Sequence, residues 1–320
     1  MLFQTAGIEV APWIPPLVAF AISFFTSMGG VSGAFLLLPF QMSFLGYTNP
    51  SVSATNQLFN IVAIPSGVYR YWREGRMVWP LTWIVVAGTL PGVFIGAFVR
   101  ISYLPDPGNF KLFAAAVLFY IGLKMVSDLL GIKTGGKDGN TAEKRFQEVV
   151  RNFRRKACTT AGVKAECLPA TAVTHFDLKR LDYTFYGEQF SVPFWGIFAL
   201  SFIVGIVGGI YGIGGGAIIA PFFVTVFGLP VYTVAGAALM GTFVTSVAGV
   251  IFYQALAPFY PDMSVAPDWL LGILFGAGGM AGMYLGARCQ KYIPARVIKW
   301  MLAGIIIFTA ARYTLAFFGR

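Results

Sequence analysis

Gly30-Val-Ser-Gly-Ala-Phe-Leu-Leu-Leu-Pro-Phe40 returns later in the chain as Gly212-Ile-Gly-Gly-Gly-Ala-Ile-Ile-Ala-Pro-Phe222, a constant offset of 182 (212 minus 30). Gly46 with Gly228 and Gly67 with Gly249 keep that offset. Gly92, Gly96 and Ala97 pair with Gly282, Gly286 and Ala287 at 190, so the second copy carries eight extra residues (190 minus 182), placed near Pro258 to Val265. Self-similarity at this spacing divides the chain into a membrane repeat over 15–130, a polar linker over 131–192 and a second membrane repeat over 193–318.

Each copy of the motif interrupts apolar sequence. Pro15–Met28 and Val31–Gly46 are 14 and 16 residues long, which as helix reach about 21 to 24 Å, short of the roughly 30 Å hydrocarbon core. Phe194–Ile210 and Ile213–Gly228 repeat the pattern around Gly212 and Gly214 to Gly216. Paired half-helices meeting at a glycine turn fit these lengths. Three plain spans then follow in each half, over 51–69, 79–99 and 110–130, and over 233–253, 269–287 and 297–318. The expected fold is an all-α polytopic membrane protein of two repeats, each a glycine-broken half-helix hairpin plus three transmembrane helices.

Composition agrees. Charged residues make up 11% and hydrophobic ones 57% of the 320 residues, a balance that excludes an ordinary water-soluble domain. Val10–Tyr69, Met77–Val99 and Gln189–Pro261 hold no charge over 60, 23 and 73 residues, as lipid exposure demands. The net charge of +10 does not point to nucleic acid, because 11 of the 23 Lys and Arg lie between Gly131 and Phe190 and the rest flank apolar runs. Cys158, Cys167 and Cys289 with the one histidine, His175, make neither a disulfide framework nor a metal site. Met1–Pro16 has no basic n-region and reads as part of the mature chain. No nucleophile–base order, phosphate-binding loop or intramembrane carboxylate pair is present, so the sequence points to no enzyme, no metal and no cofactor.

Loop charges set the orientation. Arg70, Arg73 and Arg76 follow the second element of the first half, while Gln254–Asp268, the equivalent loop, has two aspartates and no basic residue. The next loops reverse the bias, with Arg100 and Lys111 against Arg288, Lys291, Arg296 and Lys299. Equivalent loops on opposite sides mean inverted repeats, with the N-terminus outside and 131–192 in the cytoplasm. Four plain crossings per half would instead give parallel repeats. Within the linker, Thr141–Lys156 reads as a basic amphipathic helix for an anionic inner leaflet, and 173–190 as a β-hairpin.

Polar groups inside apolar sequence carry the functional reading. Asn56, Gln57 and Asn60 crowd the start of the element after the first hairpin, and the repeat places Ala238, Leu239 and Thr242 there in the second half. They line a cavity or serve as glue between helices. Gly29, Gly30, Ser32 and Gly33, with Gly212, Gly214, Gly215 and Gly216, either permit close packing or expose the N-termini of two half-helices to an anion. Alanine at Gly33 or Gly215 is then expected to be milder than leucine. Lys124 and Asp128, four apart, read as a local ion pair, with Asp128 the carboxylate to watch if protons are coupled.

The doubled motif, Gly29-Gly30-Val-Ser-Gly-Ala-Phe-Leu-Leu-Leu-Pro-Phe40 and Gly212-Ile-Gly-Gly-Gly-Ala-Ile-Ile-Ala-Pro-Phe222, each followed by an Ala/Ser/Thr-rich helix, resembles the sulfite exporter TauE/SafE family of permeases. The resemblance implies a carrier of sulfite, sulfonates or related small anions in a cell (inner) membrane. A carrier of a cation or neutral solute and a membrane scaffold are the competing classes. The first lacks the mid-membrane carboxylates it would need, and the second has no use for duplicated glycine turns.

Overall fold

The first apolar block folds as a broken pair with unequal legs. In the computed structural model, which describes residues 1–28, 32–73, 77–130, 172–185, 188–216, 218–229, 231–289 and 295–318, α1 spans Ile14–Met28 and α2 Ala34–Ser43. There follow α3 Ser51–Ala63, α4 Pro65–Arg73, α5 Trp79–Ser102 and α6 Pro107–Leu130. The second half comprises α7 Phe194–Tyr211, α8 Ile219–Phe227, α9 Val231–Leu256, α10 Trp269–Cys289 and α11 Ala295–Phe318. Among the described residues six stretches are long and apolar enough to cross a bilayer: Trp79–Ser102, Pro107–Ser127, Phe194–Tyr211, Thr233–Phe259, Trp269–Gly286 and Trp300–Phe318. The chain is a multi-pass membrane protein. Exposed Trp13, Trp79, Trp195, Trp269 and Trp300 stand at or near helix starts, where indole rings favour the membrane interface.

Two expectations are corrected. The span over 51–69 is not one helix: α3 ends at Ala63 and α4 starts at Pro65, because proline brings no N–H to the helical ladder. Winding resumes when Gly67 and Val68 N–H both bond the Ile64 carbonyl. The first leg of the second hairpin is not a half-helix either, since α7 has 18 residues. The chain turns only beyond Tyr211, where Gly212 and Gly214 take left-handed φ of 78° and 75°. It then runs back without helix before the nine residues of α8.

Glycines at four-residue intervals decide the helix contacts. On α5, Gly88 meets Phe198 and Ser201, Gly92 meets Phe202 and Gly205, and Gly96 meets Ile206 and Ile210, so α5 and α7 lie parallel, backbone against backbone. On α10, Gly278 meets Pro16, Gly282 meets Phe20, and Gly286 meets Phe24 and Ser27 of α1 in the same register. α3 also lies parallel to α10, through Leu58 on Gly272 and Val62 on Gly276. α1 and α3 thus point the same way, and α2 is the return stroke between them. α3 and α4 pass α9 antiparallel, with Gln57 against Gly249 and Gly67 against Leu239. α6 packs on α11.

Small β elements sit outside the helices. β1 Leu2–Phe3 pairs with β2 Ile8–Glu9. β3 Ala172–Phe176, β4 Arg180–Phe185 and β5 Glu188–Pro193 form an antiparallel sheet, one strand more than the expected hairpin. Alternation on β4 turns Leu181, Tyr183 and Phe185 inward, and the Tyr183 hydroxyl bonds Thr233 Oγ1 of α9 at 3.0 Å. Burial pushes the Tyr183 phenol up from its ordinary value, so it stays a donor. The expected basic helix over 141–156 and the Asp128 side chain lie outside the described residues.

Gly92→Leu and its counterpart Gly282→Leu each force a branched side chain into a neighbouring backbone. Overpacking of this kind costs about 1–3 kcal/mol or more. Both variants should lose the monodisperse peak in size-exclusion chromatography, and a wild-type melting temperature for either would contradict the contact.

Candidate functional site

α3 is the polar helix of the interior. Ser51 to Asn60 are all buried, including Ser53, Thr55, Asn56, Gln57 and Asn60 with no exposed surface. A helix end leaves its last carbonyls unpaired, and no water reaches them at membrane depth. The end of α7 meets this condition, and α3 answers it. Ser53 Oγ donates to the Ile210 carbonyl at 3.1 Å, Asn56 Nδ2 to the Gly212 carbonyl at 3.0 Å and Asn60 Nδ2 to the Ile213 carbonyl at 2.9 Å. Tyr253 of α9 donates to the Gly209 carbonyl at 3.3 Å.

The same amides reach the first break. Asn56 Nδ2 also bonds the Ala34 carbonyl at 3.0 Å, and Ser32 Oγ donates to Asn60 Oδ1 at 3.4 Å. Tyr211 OH donates to the Phe35 carbonyl at 3.0 Å. Asn56 thus holds backbone from both halves at once. Ser32, Asn56, Asn60 and Gly212 come together as one cluster, and Gly29 and Gly30 lie outside the described residues.

The opposite wall is α9. Gly215 N–H donates to Thr245 Oγ1 at 3.1 Å, Gly216 rests on Ala238 and Thr242, and Gly214 on Thr242 and Ser246. The Thr242 hydroxyl is turned back on the Ala238 carbonyl at 2.8 Å. Gly33 faces Ser23 and Thr26, and Gly215 faces Thr89. A Cβ at Gly33 would stand 2.8 Å from Ser23 Oγ, and one at Gly215 would press on the Thr89 side chain. Even alanine at these glycines requires Ser23 or Thr89 to shift, and leucine would add further atoms to the same contacts.

Polar atoms are left over. Asn56 Oδ1, both amide atoms of Gln57, Ser23 Oγ and Ser246 Oγ are buried without a protein partner. Each such group is costly inside a protein unless a ligand or water answers it. Among the described residues no three His, Cys, Asp or Glu side chains cluster, and the arrangement offers hydrogen bonds instead of metal ligation.

The description "Sulfite exporter TauE/SafE" matches residues 16–313, nearly the whole chain. The chain belongs to the sulfite exporter TauE/SafE family. Comparison with curated proteins and with solved structures returned no match. As a TauE/SafE member it is a membrane transporter and not an enzyme, and membership implies a small anionic substrate.

Sequence reasoning missed Ser53, Tyr211 and Tyr253, whose hydroxyls look like ordinary helix residues until their carbonyl partners are located, and Thr89, which bonds its own helix and meets Gly215. It also placed Arg100 in a loop, whereas the side chain has no exposed surface. The signal for Arg100 was its place at the end of the apolar run 77–99, which reads equally as a boundary charge.

Removing the Asn56 amide strands two buried carbonyls. Asn56→Ala should lower stability by about 1–3 kcal/mol, visible as a reduced melting temperature in detergent. An unchanged melting curve would show that neither carbonyl depends on it.

Proposed function

We propose that this transporter moves a small anion of the sulfite or organosulfonate class across the cell (inner) membrane through a site between the two chain breaks, with Gln57 as a substrate contact. The observation that carries the reading is a comparison the chain makes with itself. At the offset of 182, Gln57 answers to Leu239 and Gly249 to Gly67. Gln57 lies against Gly249 and Leu239 against Gly67, the same contact made twice. Leucine does this packing in one half, so packing does not ask for an amide in the other. Its buried, unpartnered head is instead suited to a polar ligand.

In this reading Asn56 and Asn60 position the turns, their donors being taken by carbonyls. Ser32, Gly33, Gly214, Gly215, Gly216 and Thr242 surround the path. Helix directions support inverted halves over 15–130 and 193–318, because α3 runs antiparallel to its counterpart α9 and each hairpin returns the chain once. Arg70, Arg73, Arg76, Arg288 and the eleven linker basics then share the cytoplasmic side with 131–192.

Gln57→Leu copies the residue the second half already uses. It should fold with a wild-type melting temperature and lose about tenfold or more of sulfite flux in reconstituted vesicles. Wild-type flux would remove Gln57 from the path. For topology, cysteines introduced at positions 137 and 262 should react with an impermeant thiol reagent from opposite sides; labelling from one side would exclude inverted halves.

A further inference from the structure

Among the described residues, Arg100 heads the large side chains that are wholly buried. It occupies the last turn of α5, one turn beyond Gly96, whose backbone lies on Ile206 and Ile210. The α5 backbone one turn before Arg100 thus lies on the last turn of α7, ahead of the Gly212 turn. It donates to the carbonyls of Leu104 and Thr48, the latter at 3.2 Å, and its Cζ lies 3.7 Å over the Phe110 ring. None of these partners carries negative charge. The ionisable groups that face it are the phenols of Tyr253 and Tyr47, and its Nε–H is buried without an acceptor.

A cation taken out of water needs an anion or a strong reason to be there. Tying the 44–50 and 103–106 loops together is one role, and it needs donors, not charge. The offset of 190 places neutral Gln290 at the equivalent position of the second half, so the repeat does not require a cation. What arginine adds is a fixed charge and a planar edge of N–H groups, the complement of an oxyanion. Tyr253, which faces the guanidinium, donates to the Gly209 carbonyl in the last turn of α7, and the Gly212 carbonyl that follows is held by Asn56 of the proposed site.

We propose that Arg100 is the charge-selecting residue of this transporter: a sulfite- or sulfonate-type oxyanion contacts its free Nε–H edge at the outer end of the path that runs past the Gly212 turn. The proposal rests on the anion-transport reading above.

The test compares Arg100→Lys and Arg100→Gln in the full-length reconstituted chain, with methanesulfonate and its neutral isostere dimethyl sulfone as probes. Binding is read from tryptophan fluorescence and folding from the melting temperature. Lysine keeps the charge but not the planar edge, so it should lose less methanesulfonate affinity than glutamine does and keep the preference for sulfonate over sulfone. Glutamine should lose about tenfold or more for methanesulfonate, leave the weak sulfone response unchanged and melt near the wild type. Wild-type methanesulfonate affinity in Arg100→Gln would overturn the proposal. So would equal losses of melting temperature and of both probes in the two variants, the signature of a loop tie. Should Arg100→Gln not fold, the lysine variant decides: retained preference for sulfonate over sulfone supports the charge role, and lost preference overturns it. A wild-type chain that binds neither sulfite nor methanesulfonate would remove the anion reading itself, whereas binding that survives in Arg100→Gln removes only the role of Arg100.

Discussion

A helix that ends buried inside a protein leaves carbonyls that no water can take, and the centre of this protein is organised by the need to answer them. α7 runs on to Tyr211, and the carbonyls around its end are met by Ser53, Asn56 and Asn60 from α3 and by Tyr253 from α9. Those bonds fix α3, α7 and α9 relative to one another at the depth where the chain turns back. They also explain why α3 can be so polar while buried from Ser51 to Asn60. Its amides and hydroxyls are the local substitute for water, and the atoms they leave unanswered are the ones the proposed site would offer a solute.

The doubling of the chain was plain in the sequence because turn glycines and a following proline survive at fixed offsets. The breaks were plain too, since apolar runs of 14 and 16 residues cannot cross alone. What could not be read was where each break falls along its leg. Gly212 and Gly214 adopt left-handed conformations, and only the folded chain shows that α7 is complete before they begin. Gly92, Gly96, Gly282 and Gly286 served as markers of the offset, but their contacts lie on helices far away in the chain. Arg100 was misplaced for a related reason: a charge at the edge of an apolar run looks the same whether it meets headgroups or a Phe110 ring.

Internal duplication gives many positions their own reference. Gln57 against Leu239 and Ser32 against Gly214 show the first half carrying polar side chains where the second carries apolar ones or none. The second half supplies the larger number of backbone groups, held by the first half's amides. The two copies share the work unevenly: the first gives the amides, while the second gives most of the carbonyls those amides hold and adds the hydroxyls of Tyr211 and Tyr253.

The glycine seams have a consequence for biosynthesis. α1 finds its parallel partner in α10, so Pro16 meets Gly278 only when 262 further residues (278 minus 16) have been made. At about 5–20 residues per second, α1 waits in the bilayer for roughly 13–50 s with the face that receives the α10 glycines unmatched. α5 finds α7 far sooner. Neither half encloses its own seam, and the nascent chain therefore stays open to lipid, chaperones and quality control until the last third of the protein emerges from the ribosome.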